Sequence, residues 1–178
     1  MTKGATISSC GKYRYALWRI WDGSRPNVMF IGLNPSTADQ EQDDPTVVRC
    51  VNFARSWGYG GMYLTNLFAH RATNPGDMMR AAAPIGPEND EWLKRLAKKT
   101  VRIVAAWGDK GVHLQRSAAV RGMISDLYCL KLNESGEPAH PLFLPAATRP
   151  QLMPMALARE ASTGALKRPA PSKIQKTA

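Results

Sequence analysis

The feature that most constrains the fold is a repeated alternation of short apolar runs with segments of helical periodicity. The runs that are typical of buried strands are residues 28–33, 62–67, 101–106 and 128–132. The intervening segments with apolar residues at helical spacing are 45–57, 88–99 and 112–124. Strands that alternate with helices form a parallel sheet covered on both faces. We therefore predict an α/β fold, a three-layer α/β/α sandwich with a central, mainly parallel four-stranded sheet.

An aromatic-rich segment before the first run predicts one more strand. Residues 13–21 alternate imperfectly between apolar and polar side chains, and residues 22–26 have the composition of a turn. We expect 13–21 to form an N-terminal antiparallel edge strand that pairs with 28–33.

Length and composition indicate one domain followed by a tail. A chain of 178 residues can bury one substantial core. After about residue 155 the composition shifts to Ala, Lys, Pro and Ser. We expect a single α/β domain over 1–154 and a basic, disordered tail over 155–178.

The same composition argues against several classes of protein. No apolar run approaches the roughly 20 residues of a membrane span, and the N-terminus lacks the apolar core of a secretory signal. The three cysteines, Cys10, Cys50 and Cys129, lack metal-ligand spacing, and the histidines are scattered. We expect a cytoplasmic monomer with reduced thiols, no membrane association, no metal and no cofactor.

The net charge of +10 suggests a polyanionic partner, because clustered Lys and Arg release counterions from phosphates. The alternative is that much of this charge lies in the tail and serves solubility. The balance stays positive without the tail, so we expect contact with DNA, or with RNA or a nucleotide.

Polar residues follow the predicted strands at their carboxyl ends, where parallel sheets bind ligands. These residues are Asn34, Asn66, Gly108 and His140. The topology therefore predicts that they converge on one site.

The side chains at these ends suit ligand binding, although each has a plain structural alternative. Asn34 is neutral, with one acceptor and two donors, and Pro35 stiffens the turn that holds it. The alternative for Asn34 is a self-bonded turn, and for Asn66 a structural amide. His140 lies between two prolines that reduce the entropic cost of positioning it, but it is otherwise an ordinary loop histidine.

Three acidic residues lie ahead of the first predicted helix. Asp39, Asp43 and Asp44 are candidates for a general base. For Asp43 and Asp44 we favour helix capping ahead of Pro45.

Four segments, taken in order, resemble motifs of the uracil-DNA glycosylase superfamily. Gly32-Leu33-Asn34-Pro35 resembles the Gly-x-Asn-Pro motif of the mismatch-specific and single-strand-selective branches, and residues 63–66 resemble the strand that ends in the uracil-reading Asn. Residues 104–108 resemble the apolar strand that closes in Trp-Gly, and His140-Pro141 resembles the start of the His-Pro-Ser-Pro loop.

A second resemblance covers more of the chain, roughly residues 10–153. Gly32 to Asp39, reading GLNPSTAD, resembles a widespread family of uncharacterised bacterial and phage proteins. Asp44-Pro45-Thr46 and His140-Pro141-Leu142 belong to that family's recurring pattern.

The glycosylase resemblance implies hydrolysis of the N-glycosidic bond of a flipped, possibly modified, pyrimidine in DNA. Asn34 would position the attacking water, His140 would donate to the base oxygen, and Asp39 is a further catalytic candidate. The residues expected to bind substrate are Gly32, Leu33, Pro35, Ser36, Asn66, Phe68, Trp107 and Gly108. Those expected to contact nucleic acid are Leu144, as an apolar wedge, and Arg149 and Lys131, at phosphates.

Departures from the glycosylase pattern affect the expected chemistry. Asn34 stands where the Asp-bearing branch has a carboxylate, so slower hydrolysis is expected. Ser36 stands where the fastest branch places a Tyr that excludes 5-methyl groups, which leaves room for a larger pyrimidine. Leu142-Phe143 replace Ser-Pro after His-Pro. The alternatives are a non-catalytic base-binding module and an enzyme acting on free nucleotides or RNA.

Overall fold

A mixed seven-stranded β-sheet runs through the part of the chain that the computed structural model describes, residues 1–36 and 38–154. The strands are β1 (Thr2–Ile7), β2 (Arg14–Ile20), β3 (Asn27–Gly32), β4 (Gly61–Asn66), β5 (Arg102–Ala105), β6 (Leu127–Cys129) and β7 (Gln151–Leu152). The helices are α1 (Pro45–Ser56), α2 (Pro75–Arg80), α3 (Asn89–Ala97) and α4 (Arg116–Met123). The predicted tail, 155–178, lies outside the described residues.

The strand order is β1-β2-β4-β3-β5-β6-β7, which corrects the predicted sheet in two ways. The central strands β4, β3, β5 and β6 are parallel and β2 is the predicted antiparallel strand, but β1 and β7 add one further antiparallel strand at each edge. In addition, β2 pairs with β4 and not with β3. The crossover through α1 lays β4 directly beside β3, so the edge available to β2 is that of β4.

Alternate residues of β3 build the cores on the two faces of the sheet. Val28 and Phe30 belong to a cluster that includes Val47 and Phe53 of α1. On the other face, Met29 and Ile31 belong to a cluster with apolar residues of α3 and α4, namely Leu93, Leu96 and Val120. Side chains of a strand point alternately to opposite faces, so a strand covered on both sides is a continuous apolar run.

The helical segments differ from prediction mainly after β5. The predicted helix 112–124 is divided into a 3-10 segment, Asp109–Gln115, and α4. The break falls at Leu114 and Gln115, which have φ angles of 51° and 54°. Left-handed backbone cannot continue a right-handed helix. The short helix α2 was not predicted; its N-cap, Asn74, accepts a hydrogen bond from the Gly76 N–H.

The order of the parallel strands creates a switch point between β3 and β5. The chain leaves β3 through α1 to β4 on one side, then returns to β5 on the other side of β3. Where crossovers diverge in this way, a crevice opens at the carboxyl ends of the strands. Within the described residues, no helix is both long and apolar enough to cross a membrane.

Candidate functional site

Two adjoining cavities open at the carboxyl ends of the central strands. The inner cleft has a volume of about 240 Å³ and is lined by Arg14, Gly32, Leu33, Asn34, Ser36, Asp44, Thr46, Leu64, Asn66, Ala72, Thr73, Pro75, Trp107 and His140. The outer cleft, of about 470 Å³, is lined by Leu33, Trp107, Gly108, Asp109, Lys110, Lys131, Asn133, Ala139, His140, Phe143 and Leu144. The two cavities share Leu33, Trp107 and His140, so they lie side by side.

Asn34 enters the inner cleft with its amide orientation fixed by backbone carbonyls. Its Nδ2 donates to the carbonyl of Pro35 at 3.0 Å and to that of Ala72 at 2.8 Å. These bonds use both amide hydrogens, which leaves the acceptor Oδ1 for a ligand or a water.

Asn66 is the most deeply placed amide of the inner cleft, with 3% of its surface exposed. Its Nδ2 is buried and has no hydrogen-bond partner among the residues that the structure describes. Asn89 Nδ2 fixes the backbone beneath it by donating to the Asn66 carbonyl at 3.0 Å. A buried donor without a partner is rare in folded proteins and is often completed by a ligand.

Gly32 gives Asn66 the space it needs. A Cβ at position 32 would lie 2.8 Å from Asn66 Oδ1, closer than real Cβ contacts. The glycine of the Gly-x-Asn-Pro motif therefore leaves space for the Asn66 side chain of the neighbouring strand, β4.

His140 lies at the junction of the two clefts, in surroundings that favour its neutral form. Burial lowers its pKa below the ordinary value, and the Asp44 carboxylate only partly opposes this shift. Its Nδ1 accepts from the Leu142 N–H at 3.4 Å, which assigns the proton to Nε2. The imidazole can therefore donate to a ligand oxygen without being charged.

An NMR titration should detect this environment directly. We expect the imidazole pKa of His140 to lie below the ordinary 6.5. Because the unfolded chain then takes up the proton at higher pH than the folded one, stability should fall as pH drops from 6.5 through the folded pKa. The measurement is the chemical shift of the ring nitrogens against pH, assigned with His140→Gln. A midpoint at or above 6.5 would contradict the inferred preference for the neutral imidazole.

Trp107 forms a rigid wall between the clefts. Its Nε1 donates to Glu137 Oε2 at 2.5 Å, and Ser117 Oγ lies 3.1 Å from the other carboxylate oxygen of Glu137. Gly111 allows the chain to pass close to the indole, since a Cβ there would lie 2.2 Å from Trp107 Cδ1. The wall is thus held by a hydrogen bond and by close packing.

Two buried arginines of β2 hold the loop that follows β3. Arg14 donates to the Ala38 carbonyl at 2.5 Å. Arg19 donates to the Asp39 carbonyl at 2.7 Å and to the Asp43 carboxylate at 2.6 and 2.8 Å. These bonds tie Ala38, Asp39 and Asp43, which precede α1, to β2.

The three acidic residues of this loop have different positions. Asp44 is the N-cap of α1, accepts from the Val47 N–H at 2.9 Å and lines the inner cleft. Asp43 pairs with Arg19 and does not cap the helix. Asp39 accepts from the N–H groups of Gln42 and Glu41, which lower its pKa, and it is not among the described residues lining either cleft.

The structure brings most of the remaining predicted residues to the site and leaves three elsewhere. Gly108, Lys131 and Leu144 line the outer cleft, although Leu144 is only 9% exposed. Phe68 is fully buried in the core, beside His113. Arg149 lies at the end of α1, where it donates to the Ser56 carbonyl at 3.1 Å. Pro35 is buried in the turn and is not a lining residue.

Sequence reasoning missed Arg14, Lys110 and the position of Phe143. Phe143 is 85% exposed at the rim of the outer cleft, with its ring centroid 5.8 Å from that of His140. Lys110 lines the same cleft. The available signal for Arg14 was a charged residue inside a strand that is otherwise mostly apolar and aromatic.

Comparison with known proteins identifies a family but no function. Residues 14–142 match the family described as "Protein of unknown function (DUF1643)". The chain belongs to this family. The DUF1643 match includes Arg14, Asn34, Asn66 and His140, and so covers the polar lining of the inner cleft. No curated protein and no solved structure matches the chain. The likeness to uracil-DNA glycosylases thus rests on the four motifs and their order.

Proposed function

We propose that this DUF1643 protein hydrolyses the N-glycosidic bond of a pyrimidine nucleotide flipped out of DNA. The observation that carries the proposal is the convergence of Asn34, Asn66 and His140 on the inner cleft. We also propose a three-layer sandwich of the uracil-DNA glycosylase type, an architecture that core clusters on both faces of the sheet favour.

The hydrogen-bonding capacity of the cleft fits a pyrimidine. Asn34 offers Oδ1 to orient the water that attacks the anomeric carbon, because its hydrogens are committed to carbonyls. Asn66 offers its Nδ2 donor to an acceptor on the base edge. His140 donates through Nε2 to the base oxygen on which negative charge builds as the bond breaks.

Asp44 supplies the negative charge that the Gly-x-Asn-Pro turn lacks. The anomeric carbon gains positive charge when a glycosidic bond breaks, and a nearby carboxylate stabilises that charge. Asp44 lines the cleft that holds Asn34 and His140, whereas Asp39 is turned into its own loop. We therefore assign the role to Asp44.

The outer cleft suits the DNA around a flipped nucleotide. Lys110 and Lys131 line it and can contact phosphates. Phe143, exposed beside His140, is better placed than the buried Leu144 to enter the base stack and occupy the space of the extruded base.

An oligonucleotide assay tests the proposal. Single- and double-stranded oligonucleotides carrying uracil, 5-hydroxymethyluracil or another modified pyrimidine, or the purine hypoxanthine for comparison, are incubated with the protein, and abasic sites are cleaved with alkali. We expect abasic product from at least one modified pyrimidine, and its loss in Asn34→Ala. Salt-sensitive binding without product would refute hydrolysis and favour a base-binding module. Product from free nucleosides or RNA only would redirect the proposal to those substrates.

A further inference from the structure

The inner cleft contains a buried arginine that the proposed chemistry does not use. Arg14 is the first residue of β2, has 1% of its surface exposed and lines the cleft. Its backbone N–H donates to the Ala69 carbonyl at 2.9 Å, which places it just beyond the end of β4, the strand that carries Asn66.

The guanidinium of Arg14 is incompletely satisfied by protein groups. One terminal nitrogen donates to the Ala38 carbonyl, but Nε is buried without a partner among the described residues. No carboxylate in the described part of the chain forms a salt bridge with it within 4.0 Å. Arg19, five residues further along β2, provides the contrast: it is equally buried, and it pairs with the Asp43 carboxylate.

Burial does not neutralise the Arg14 guanidinium. Desolvation lowers the pKa of Arg14 to about 10, opposed by the charges of Asp44 and Asp39. A group with that pKa is still almost entirely protonated at pH 7. A buried cation without a paired anion is costly, and a bound anion would offset this cost.

Other donors share the cleft with Arg14. The unpartnered Nδ2 of Asn66 is one, and the hydroxyl groups of Ser36, Thr46 and Thr73 line the same cavity. These donors favour a ligand that is rich in acceptor oxygens, although the Asp44 carboxylate also lines the cleft. Carboxylates and phosphates are such ligands and bind arginine through charge-assisted hydrogen bonds.

We propose that the inner cleft contains a subsite for an oxyanion of the substrate, with Arg14 as its principal contact and Asn66 as a second donor. This inference rests on the proposed function, since the oxyanion would belong to the target nucleotide. Its source is either a carboxylate attached to the pyrimidine ring or a phosphate of the nucleotide.

Two pairs of ligands distinguish these sources in binding experiments at constant ionic strength. The first pair is 5-carboxyuracil and its neutral analogue 5-carboxamidouracil; the second is deoxyuridine monophosphate and deoxyuridine. We expect the anionic member of one pair to bind the wild-type protein at least about 10-fold more tightly than its neutral partner. A preference in the first pair identifies a base carboxylate, and one in the second a phosphate.

Variants then assign the preference to Arg14. Arg14→Met should abolish it and Arg14→Lys should retain part of it, while Arg25→Met, which removes an exposed arginine outside both clefts, should leave it unchanged. If Arg14→Met does not fold, the comparison of ligand pairs on the wild-type protein and on Arg14→Lys still tests the subsite. Equal affinities within both pairs would overturn the subsite and leave Arg14 as a loop anchor. Binding needs no bond cleavage, so the two proposals can fail separately. A protein that prefers the anion but releases no base would refute the proposed hydrolysis and support the oxyanion subsite.

Discussion

Replacing His140 by alanine should reduce the rate of base release about 100- to 1000-fold, the usual cost of removing one donor to a developing negative charge. The physical reason is the position of His140 at the junction of the clefts, where burial keeps the imidazole neutral and Nε2 carries the proton. The measurement is the single-turnover rate on the best substrate of the oligonucleotide assay.

The fold should tolerate this change. The described contacts of the imidazole include one long hydrogen bond, from the Leu142 N–H at 3.4 Å. We expect the free energy of unfolding to fall by about 1 kcal/mol or less. His70→Ala is the matched control, because His70 is half-buried against Tyr13 and outside both clefts. Equal rates for His140→Ala and wild type would remove His140 from the mechanism.

Replacing Arg19 by methionine should produce the largest loss of stability, about 3 kcal/mol in the free energy of unfolding. Arg19 is fully buried, and its guanidinium joins β2 to the Asp43 carboxylate and to the Asp39 carbonyl. Its loss leaves Asp43, whose side chain is 25% exposed, without its ion pair. For a chain of this length the melting temperature should drop by about 6–12 °C.

The matched control is Arg25→Met. Arg25 also pairs with an aspartate, Asp22 at 3.1 Å, but its side chain is 60% exposed. Exposed pairs contribute about 1 kcal/mol at most, so this variant should melt within a few degrees of wild type. Denaturant unfolding of both variants makes the comparison, and equal losses of stability would show that burial of the Arg19 pair contributes nothing.

The central strands were predictable because their signal is local. A strand covered on both faces consists almost wholly of apolar residues, and Val28 to Ile31 are all fully buried. The cap of α1 was equally local, since Asp44 directly precedes Pro45 and bonds to Val47. Polar residues at the ends of parallel strands also predicted which part of the chain forms the inner cleft.

The edge strands β1 and β7 were not predictable, because they lack this local apolar signal. Strand β1 has an exposed or half-buried residue at every position except Gly4, and β7 has two residues, so neither has an apolar pattern. Strand β2 was recognised, but its partner depended on the position of β4, which is set by the α1 crossover. Pairing between distant segments is a property of the whole sheet.

By itself, the sequence determined the alternating α/β pattern, the parallel central strands and the candidate residues Asn34, Asn66 and His140. Only the tertiary structure decided how these groups are available to a ligand. It commits the Asn34 hydrogens to Ala72 and Pro35, leaves a buried donor on Asn66, and brings Arg14 from a different strand into the same cleft. Hydrogen bonds and burial depend on residues far apart along the chain, and their partners are fixed only when the strands and loops pack together.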